Sequence, residues 1–356
     1  MKHYIIPIFI PHYGCENECV FCNQHKITGV QTNVDAKQVV NIILCWIERF
    51  TAKKTLIEVA FYGGSFTALS LEKQRELLDP VRTFLKKKII HSIRISTRPD
   101  AIDESILENL IHYGVSIIEL GVQSLDNDVL QKSARGHTKY DVLHAVNLIR
   151  KYSDFKLGLQ IMPGLPGDSI LKMLLTVKEI VRLEPDFIRI YPTIVLNNTK
   201  LAELYLAHRY SPLELEIAVN YCCTLKTIIN DSKIAIIRMG LQATENLNDT
   251  TILAGPYHPA FGELVDARIF YLLIADFLEE IDAEFDQVSE IQLNIYHSYQ
   301  LTSKIRGNRN QNIIKWQIRY PLFHFKFVST KQAVNYIKIE YEGQIYTLNV
   351  RGRSTI

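Results

Sequence analysis

Cys15, Cys19 and Cys22 lie within eight residues of one another, in the stretch PHYGCENECVFCNQ directly behind the first strand-like run. The spacing Cys-x3-Cys-x2-Cys, with Phe21 just ahead of the last thiol, puts three thiolates on one short loop. Each can take one iron of a 4Fe–4S cluster. The fourth iron then has no protein ligand nearby and is open to a substrate or cofactor. Two other readings fit the thiols alone. A structural zinc could recruit His12 or His25 to complete a Cys3His tetrahedron, although structural zinc ligands usually come as two separated pairs. A disulfide framework belongs to small secreted chains, and this one has 6 Cys in 356 residues. Cys45, Cys222 and Cys223 sit in apolar helical runs and read as small buried hydrophobes.

The triad resembles the signature loop of the radical S-adenosylmethionine (SAM) superfamily. The resemblance implies a 4Fe–4S cluster and SAM as cofactors, with the amino and carboxylate groups of SAM on the open iron. It implies reductive cleavage of the sulfonium to methionine and a 5′-deoxyadenosyl radical, which abstracts hydrogen from a substrate. It also implies an external one-electron donor such as flavodoxin or ferredoxin. The cofactors carry this chemistry, and the protein supplies binding and orientation.

The elements that must position the loop are short β-rich runs alternating with longer helical patterns. Strands are expected at residues 4–10, 56–62, 92–97, 116–120, 156–162 and 187–191, with a weaker one at 234–239. Most are apolar without strict alternation, as in parallel strands covered on both faces. Helices between them have visible start signals at Ser70, Asp103 and Ser169. Repeated β-α units imply right-handed crossovers. The fold class expected is α/β: a partial (β/α)6 barrel of radical-SAM type with a small C-terminal α+β module. Three segments are expected: a core at 1–245, a connecting loop and helix at 246–285, and a basic module at 286–356.

In such barrels functional residues gather at the C-terminal strand ends, and the unusual residues of this chain follow its strand runs. FYGGSFTAL follows the second; Gly63-Gly64-Ser65 lets a backbone approach a ligand closely. In the radical SAM family this position holds a Gly-Gly motif that binds the SAM amino group. After the third run, Ser96 stands where related enzymes often carry an acidic ribose contact, which leaves that contact open. Arg98 before Pro99 reads equally as a turn residue. ELGVQSLDNDVLQKSARGHT follows the fourth run and resembles the oxygen-independent coproporphyrinogen oxidases, where a Gln and an Arg contact SAM; Gln123 and Arg135 hold those places. An Arg can fork onto a carboxylate, although a surface salt bridge is the plain alternative. His137 reads as a loop residue. LGLQIMPGLPGDS matches the family's glycine-rich fifth-strand motif. There Gln160 replaces a common Asp, and Ile161 is the candidate for packing on adenine, or else core. Tyr191-Pro192-Thr193, with Thr199 and Leu201, resembles the radical SAM half of the Elongator catalytic subunit, an RNA-modifying acyltransferase. This likeness covers residues 1–245. The remaining residues match no acetyltransferase motif, so acetyl transfer is not carried over.

The C-terminal part differs in charge. From residue 291 onward ten Lys and Arg face two Glu, so the rest is net acidic although the whole chain carries +2. A basic tail on an acidic body suits an anionic partner such as RNA. Lys304, Arg306 and Arg309, around Gly307, read as a basic loop feeding a helix, suited to phosphate. A KH-type loop would need a second glycine in the motif. Trp316, Tyr320 and Phe323 read as stacking partners for bases or, more ordinarily, as core. Tyr257, His258 and Glu263 read as a barrel-mouth cluster or a structured linker.

The opening MKHYIIPIFIPHYG is too short and Pro-punctuated for a signal peptide, so no secretory leader is expected. No apolar run approaches the roughly 18 residues of a membrane span. A cytoplasmic, non-membrane protein is expected. The function expected is radical SAM chemistry, with RNA (tRNA) as the substrate. A small metabolite or tetrapyrrole is the alternative target, and a non-catalytic Fe–S RNA-binding protein is the alternative of another class.

Overall fold

The computed structural model describes residues 2–15, 18–23, 34–50, 55–242, 244, 247–248, 250–284, 290–331 and 336–349. His25 lies outside them, as do the expected segment boundaries at 245–246 and 285–286. The chain divides into two compact units: Met1–Glu214 with Ile234–Tyr257, and Leu215–Lys233 with His258–Ile356.

The first unit is built on β1 (Lys2–Phe9), β2 (Thr55–Tyr62), β3 (Ser92–Thr97), β4 (Val115–Gln123), β5 (Lys156–Ile161) and β6 (Phe187–Ile190). A short β7 (Val195–Leu196), then β8 (Ala235–Met239) and β9 (Ile252–Ala254), complete its strands. The sheet order is β1-β2-β3-β4-β5-β6-β8, and every neighbouring pair is parallel. The sheet forms the half-barrel expected of a radical SAM core. The weak run at 234–239 is a full seventh strand, paired to β6. β7 and β9 form a separate antiparallel ribbon.

The crossovers carry α1 (Ala36–Glu48), α2 (Leu71–Lys86), α3 (Glu104–His112), α4 (Asn127–Lys132), α5 (Lys139–Ile149), α6 (Ile170–Arg182) and α7 (Lys200–Leu206). Their starts are the caps that the sequence announces. Ser70, Asp103 and Ser169 each accept a hydrogen bond from the main-chain N–H three residues on, which satisfies one of the helix's unpaired amides. On one face of the sheet Ile95, Ile118, Leu120, Leu159 and Ile188 are fully buried. The other face carries Glu58, Arg94 and Glu119, also buried, and the mostly buried Arg189.

The second unit contains α8 (Leu215–Asn230), α9 (Phe261–Glu284), β10 (Ile291–Ser298), α10 (Thr302–Arg306), α11 (Gln311–Arg319), β11 (Phe323–Thr330), β12 (Tyr336–Tyr341) and β13 (Gln344–Asn349). Its sheet order is β11-β10-β12-β13. The hairpin between β12 and β13 turns on Glu342 and Gly343, both at positive φ (48° and 76°), as a two-residue type I′ loop requires. Trp316 is fully buried and Tyr320 and Phe323 nearly so, in one core with Ile274, Leu278 and Ile295. These aromatics are therefore core and offer no surface for base stacking. Lys304 and Arg306 lie in the short helix α10, not in a loop, and Gly307 at φ +72° ends it. Cys222 and Cys223 are buried as expected, whereas Cys45 is exposed on α1. Among the described residues no helix is long and apolar enough to cross a membrane.

Candidate active site at the strand ends

The cysteine loop is laced to the Gly-Gly loop by main-chain bonds. The Ile10 N–H donates to the Tyr62 carbonyl (2.8 Å), the His12 N–H to the Gly63 carbonyl (2.8 Å) and the Ser65 N–H to the Tyr13 carbonyl (2.7 Å). This closeness explains Gly64. A Cβ there would stand 2.5 Å from the carbonyl oxygens of both Ile10 and Tyr13. Gly14 answers from the other side, since its Cβ would meet the Ser65 carbonyl at 2.2 Å. The paired loops place the cysteine-bearing backbone directly over the end of β2.

Ser65 then ties β2 to β3. Its hydroxyl lies 3.0 Å from the Thr97 Oγ1 and accepts from the Arg98 N–H at 3.2 Å. Arg98 is ion-paired with Asp100. Gln123 closes β4 in the left-handed region, φ +67°, beside a bulge between Gly121 and Gln123. A non-glycine residue there stores strain of about 1–3 kcal/mol. The distortion is held by two contacts: the Gln123 carbonyl accepts from the Met162 N–H (2.9 Å), and its Oε1 accepts from Gln160 Nε2 (3.2 Å).

Arg135 is 6% exposed. Its Nη2 donates to the Gly121 carbonyl at 2.7 Å and its Nη1 to Cys19 Sγ at 3.0 Å. Its Nε is buried and, among the described residues, has no hydrogen-bond partner. His137 is 3% exposed, with Nε2 3.2 Å from the Val122 carbonyl. That contact requires the proton on Nε2 and leaves Nδ1 an acceptor, again buried without a partner among the described residues. Burial pushes the His137 pKa down to about 4, and Arg135 adds to the effect. The imidazole is therefore neutral near pH 7. Thr193, after β6, is a third residue of this kind, with Oγ1 unpartnered among the described residues. With Ser133 Oγ, four buried polar atoms on segments that follow strand ends lack partners among the described residues, which fits a polar ligand.

The inner face of the half-barrel carries a chain of buried ion pairs. Arg94 Nε meets Glu58 at 2.6 Å, Arg94 Nη1 meets Glu119 at 3.0 Å, and Glu119 meets Arg189 Nε at 3.1 Å. Arg189 donates onward to the Tyr191 hydroxyl (3.0 Å) and the Tyr62 hydroxyl (3.1 Å). Burial pushes the Tyr62 pKa up to about 12, against the pull of Arg189, so Tyr62 stays protonated. Two carboxylates neutralise two guanidiniums. Sequence reasoning missed this ladder; the available signal was one charged residue inside each of four otherwise apolar strand runs.

The structure thus brings together Cys19 with Arg135, Gln123 with Gln160, and Gly64 and Ser65 with the cysteine loop. Ile161 is 2% exposed and shares its face of β5 with Leu157 and Leu159, opposite to Gln160. Cys15 is exposed, and Cys19 and Cys22 are half-buried. Among the described residues no three His, Cys, Asp or Glu groups are arranged to hold a single metal ion. A cubane does not ask for that arrangement, because each thiolate binds a different iron. In the second unit, the Lys304 Nζ pairs with Asp266 at 2.6 Å and the Arg306 guanidinium lies 5.7 Å from the Phe327 ring centroid. Arg309 is exposed, at φ +50°.

The radical SAM superfamily model matches residues 9–178, and the radical SAM C-terminal domain model matches residues 185–270. A tRNA uridine(34) acetyltransferase of Dehalococcoides mccartyi is 40% identical over 231 residues, 56% of this chain and 50% of that protein. A protein of the same name from Methanocaldococcus infernus is 31% identical over 193 residues, 49% of this chain and 36% of that one. The chain spans half or less of the length of these curated relatives. The solved structure of the archaeal Methanocaldococcus infernus Elp3 with N-terminus deletion (1-46) superposes with a TM-score of 0.59 at 24% identity, over 79% of this chain and 63% of that one. At that identity the likeness is one of fold. The cysteine loop, the parallel half-barrel and the two adjoining domain matches lead to one conclusion: the chain belongs to the radical SAM superfamily.

Proposed function

We propose that this protein is an enzyme that binds a 4Fe–4S cluster through Cys15, Cys19 and Cys22 and cleaves SAM there to begin hydrogen abstraction from an RNA, with tRNA as the substrate class. When bound, the cluster and SAM supply one-electron cleavage of the sulfonium. The chain's own residues bind and orient. Gly63, Gly64 and Ser65 hold the cysteine loop against the end of β2. Arg135 presents a fixed positive charge, suited to the carboxylate of SAM. Gln123 and Gln160 brace each other at the strained end of β4, where their amides can meet polar atoms of the nucleoside. The observation that carries this reading is the Arg135–Cys19 contact, 3.0 Å long and backed by a buried Nε with a bond to spare among the described residues.

The RNA half of the proposal is supported by the tRNA named for the relatives and by the basic balance of residues 291–356. The test is anaerobic incubation of reconstituted protein with dithionite, SAM and unmodified tRNA. Release of 5′-deoxyadenosine, stimulated by tRNA and lost in Cys19→Ala, is expected. No 5′-deoxyadenosine under any condition overturns the chemistry; release indifferent to tRNA overturns the substrate.

A further inference from the structure

Among the described residues, the four-stranded sheet of the second unit has one face packed and one face open. Leu293 and Ile295 on β10, with Ile337 and Ile339 on β12, are fully buried in the core. Strand alternation puts the intervening side chains on the other face. There Tyr296 on β10 stands directly opposite Lys338 on β12. Lys326 on β11 is opposite Asn294 and so lies diagonally beside Tyr296. Tyr336 follows on the same face of β12, with the Lys338 ammonium 5.9 Å from its ring centroid. Both tyrosines are half-buried, as is Lys338's neighbour Glu340, and Ile345 at the edge is 63% exposed. Glu340 is the one acid that shares the face among the described residues of these strands. A single one of its oxygens accepts from the Tyr296 hydroxyl (2.6 Å) and from Asn294 Nδ2 (3.2 Å). Those bonds pin the Tyr296 ring in the middle of the sheet.

We infer that this open face binds a single-stranded stretch of RNA. Two aromatic rings on central strands offer stacking surfaces to unstacked bases, the mode by which four-stranded RNA-binding sheets work. Lys326 and Lys338 flank those rings at the spacing of neighbouring strands and can meet the phosphates that run beside stacked bases. Ile345 extends the apolar surface. A duplex keeps its bases stacked inside and offers nothing to the rings, so the face favours a loop or an end. The occupant is argued from the charge of the face itself: Lys326 and Lys338 stand against a single acid, Glu340, and that acid already accepts from two neutral donors. The inference rests on the reading that the substrate is an RNA. It assigns the contact to a surface distinct from Lys304, Arg306 and Arg309.

The test uses the full chain and a fluorescein-labelled uridine dodecamer, with the same RNA annealed to its complement for comparison, read by fluorescence anisotropy across a salt series. The wild type should prefer the single strand. Tyr336→Leu should weaken binding about tenfold, and Tyr336→Phe, which keeps the ring, should bind as the wild type does. The exposed-face pair Lys326→Gln with Lys338→Gln should flatten the slope of log K against log salt by about 1.4; this pair tests the idea even where a tyrosine variant fails to fold. Wild-type binding that none of these changes alters overturns the assignment of the face and leaves the RNA substrate standing. Absence of any RNA binding at low salt overturns both. Binding of poly-glutamate, lost in the same variants while RNA does not bind, gives the face to an acidic protein partner instead.

Discussion

Arg135 and Cys19 are 116 positions apart in the chain and 3.0 Å apart in space, guanidinium Nη1 to thiol Sγ. The same side chain is anchored behind by the Gly121 carbonyl at 2.7 Å. A cation fixed from the rear and aimed at the Cys19 thiol joins the end of β4 to the loop after β1. Arg suits the place because its planar fork can serve two acceptors at once, which a Lys ammonium on a flexible stem does poorly.

Arg135→Lys should therefore keep the cluster and lose grip on SAM. The three cysteines are untouched, so iron content should match the wild type. Loss of charge-assisted hydrogen bonds of about 1.5–3 kcal/mol each should raise the Kd for SAM by at least tenfold. Equilibrium binding of SAM to anaerobically reconstituted protein reads this directly, and an unchanged Kd contradicts the role.

Gly64→Ala forces a methyl to within 2.5 Å of two carbonyl oxygens that belong to the cysteine-loop segment. Neither is a flexible side-chain end. Overpacking of this kind costs about 1–3 kcal/mol, and here the loop must move to relieve it. The expected outcome is less iron retained per chain after reconstitution, with the far-UV circular dichroism unchanged. Full iron loading in Gly64→Ala counts against the account of the paired loops.

Glu119 separates two buried guanidiniums, Arg94 and Arg189. Glu119→Ala leaves both with reduced compensation on a buried face. Removing one partner from a buried pair costs about 3–5 kcal/mol, so the denaturant midpoint should fall sharply. A loss below about 1 kcal/mol, the scale of an exposed pair, would mean that water reaches the ladder.

His137 sets a pH dependence. Its folded pKa of about 4 lies below the 6.5 of an unperturbed histidine, chiefly through burial. The folded state therefore binds the proton less well than the unfolded state. The stabilisation is fully present above pH 6.5, declines as pH falls, and is gone below about 4, for a total of up to about 3 kcal/mol. Chemical denaturation at pH 7 and pH 5 should show the loss, and His137→Gln should reduce the difference between the two.

Much of the site was legible because its residues are local. The thiol triad, the Gly-Gly pair and the caps of the crossover helices each fit in a few consecutive residues, and the strand-end rule connects them. The ladder was not legible. A lone Glu58 or Arg94 in an apolar strand reads as an exposed position, and only the register of neighbouring strands shows that each charge meets the next. Gly64 illustrates a half-correct inference: the sequence argues for close backbone approach, and the backbone that approaches is the chain's own cysteine loop. Lys304 and Arg306 read in the sequence as part of a basic loop around Gly307. The preceding five residues instead close a short helix that ends on that glycine.

The central claim is that Cys15, Cys19 and Cys22 hold a cluster with one iron left open to SAM. Electron paramagnetic resonance of the anaerobically reconstituted, dithionite-reduced protein, recorded before and after SAM is added, tests it most directly. The account predicts a reduced 4Fe–4S signal that changes on addition of SAM and is absent in Cys19→Ala. A mononuclear zinc centre with no such signal, or a cluster spectrum that SAM leaves unaltered, contradicts it.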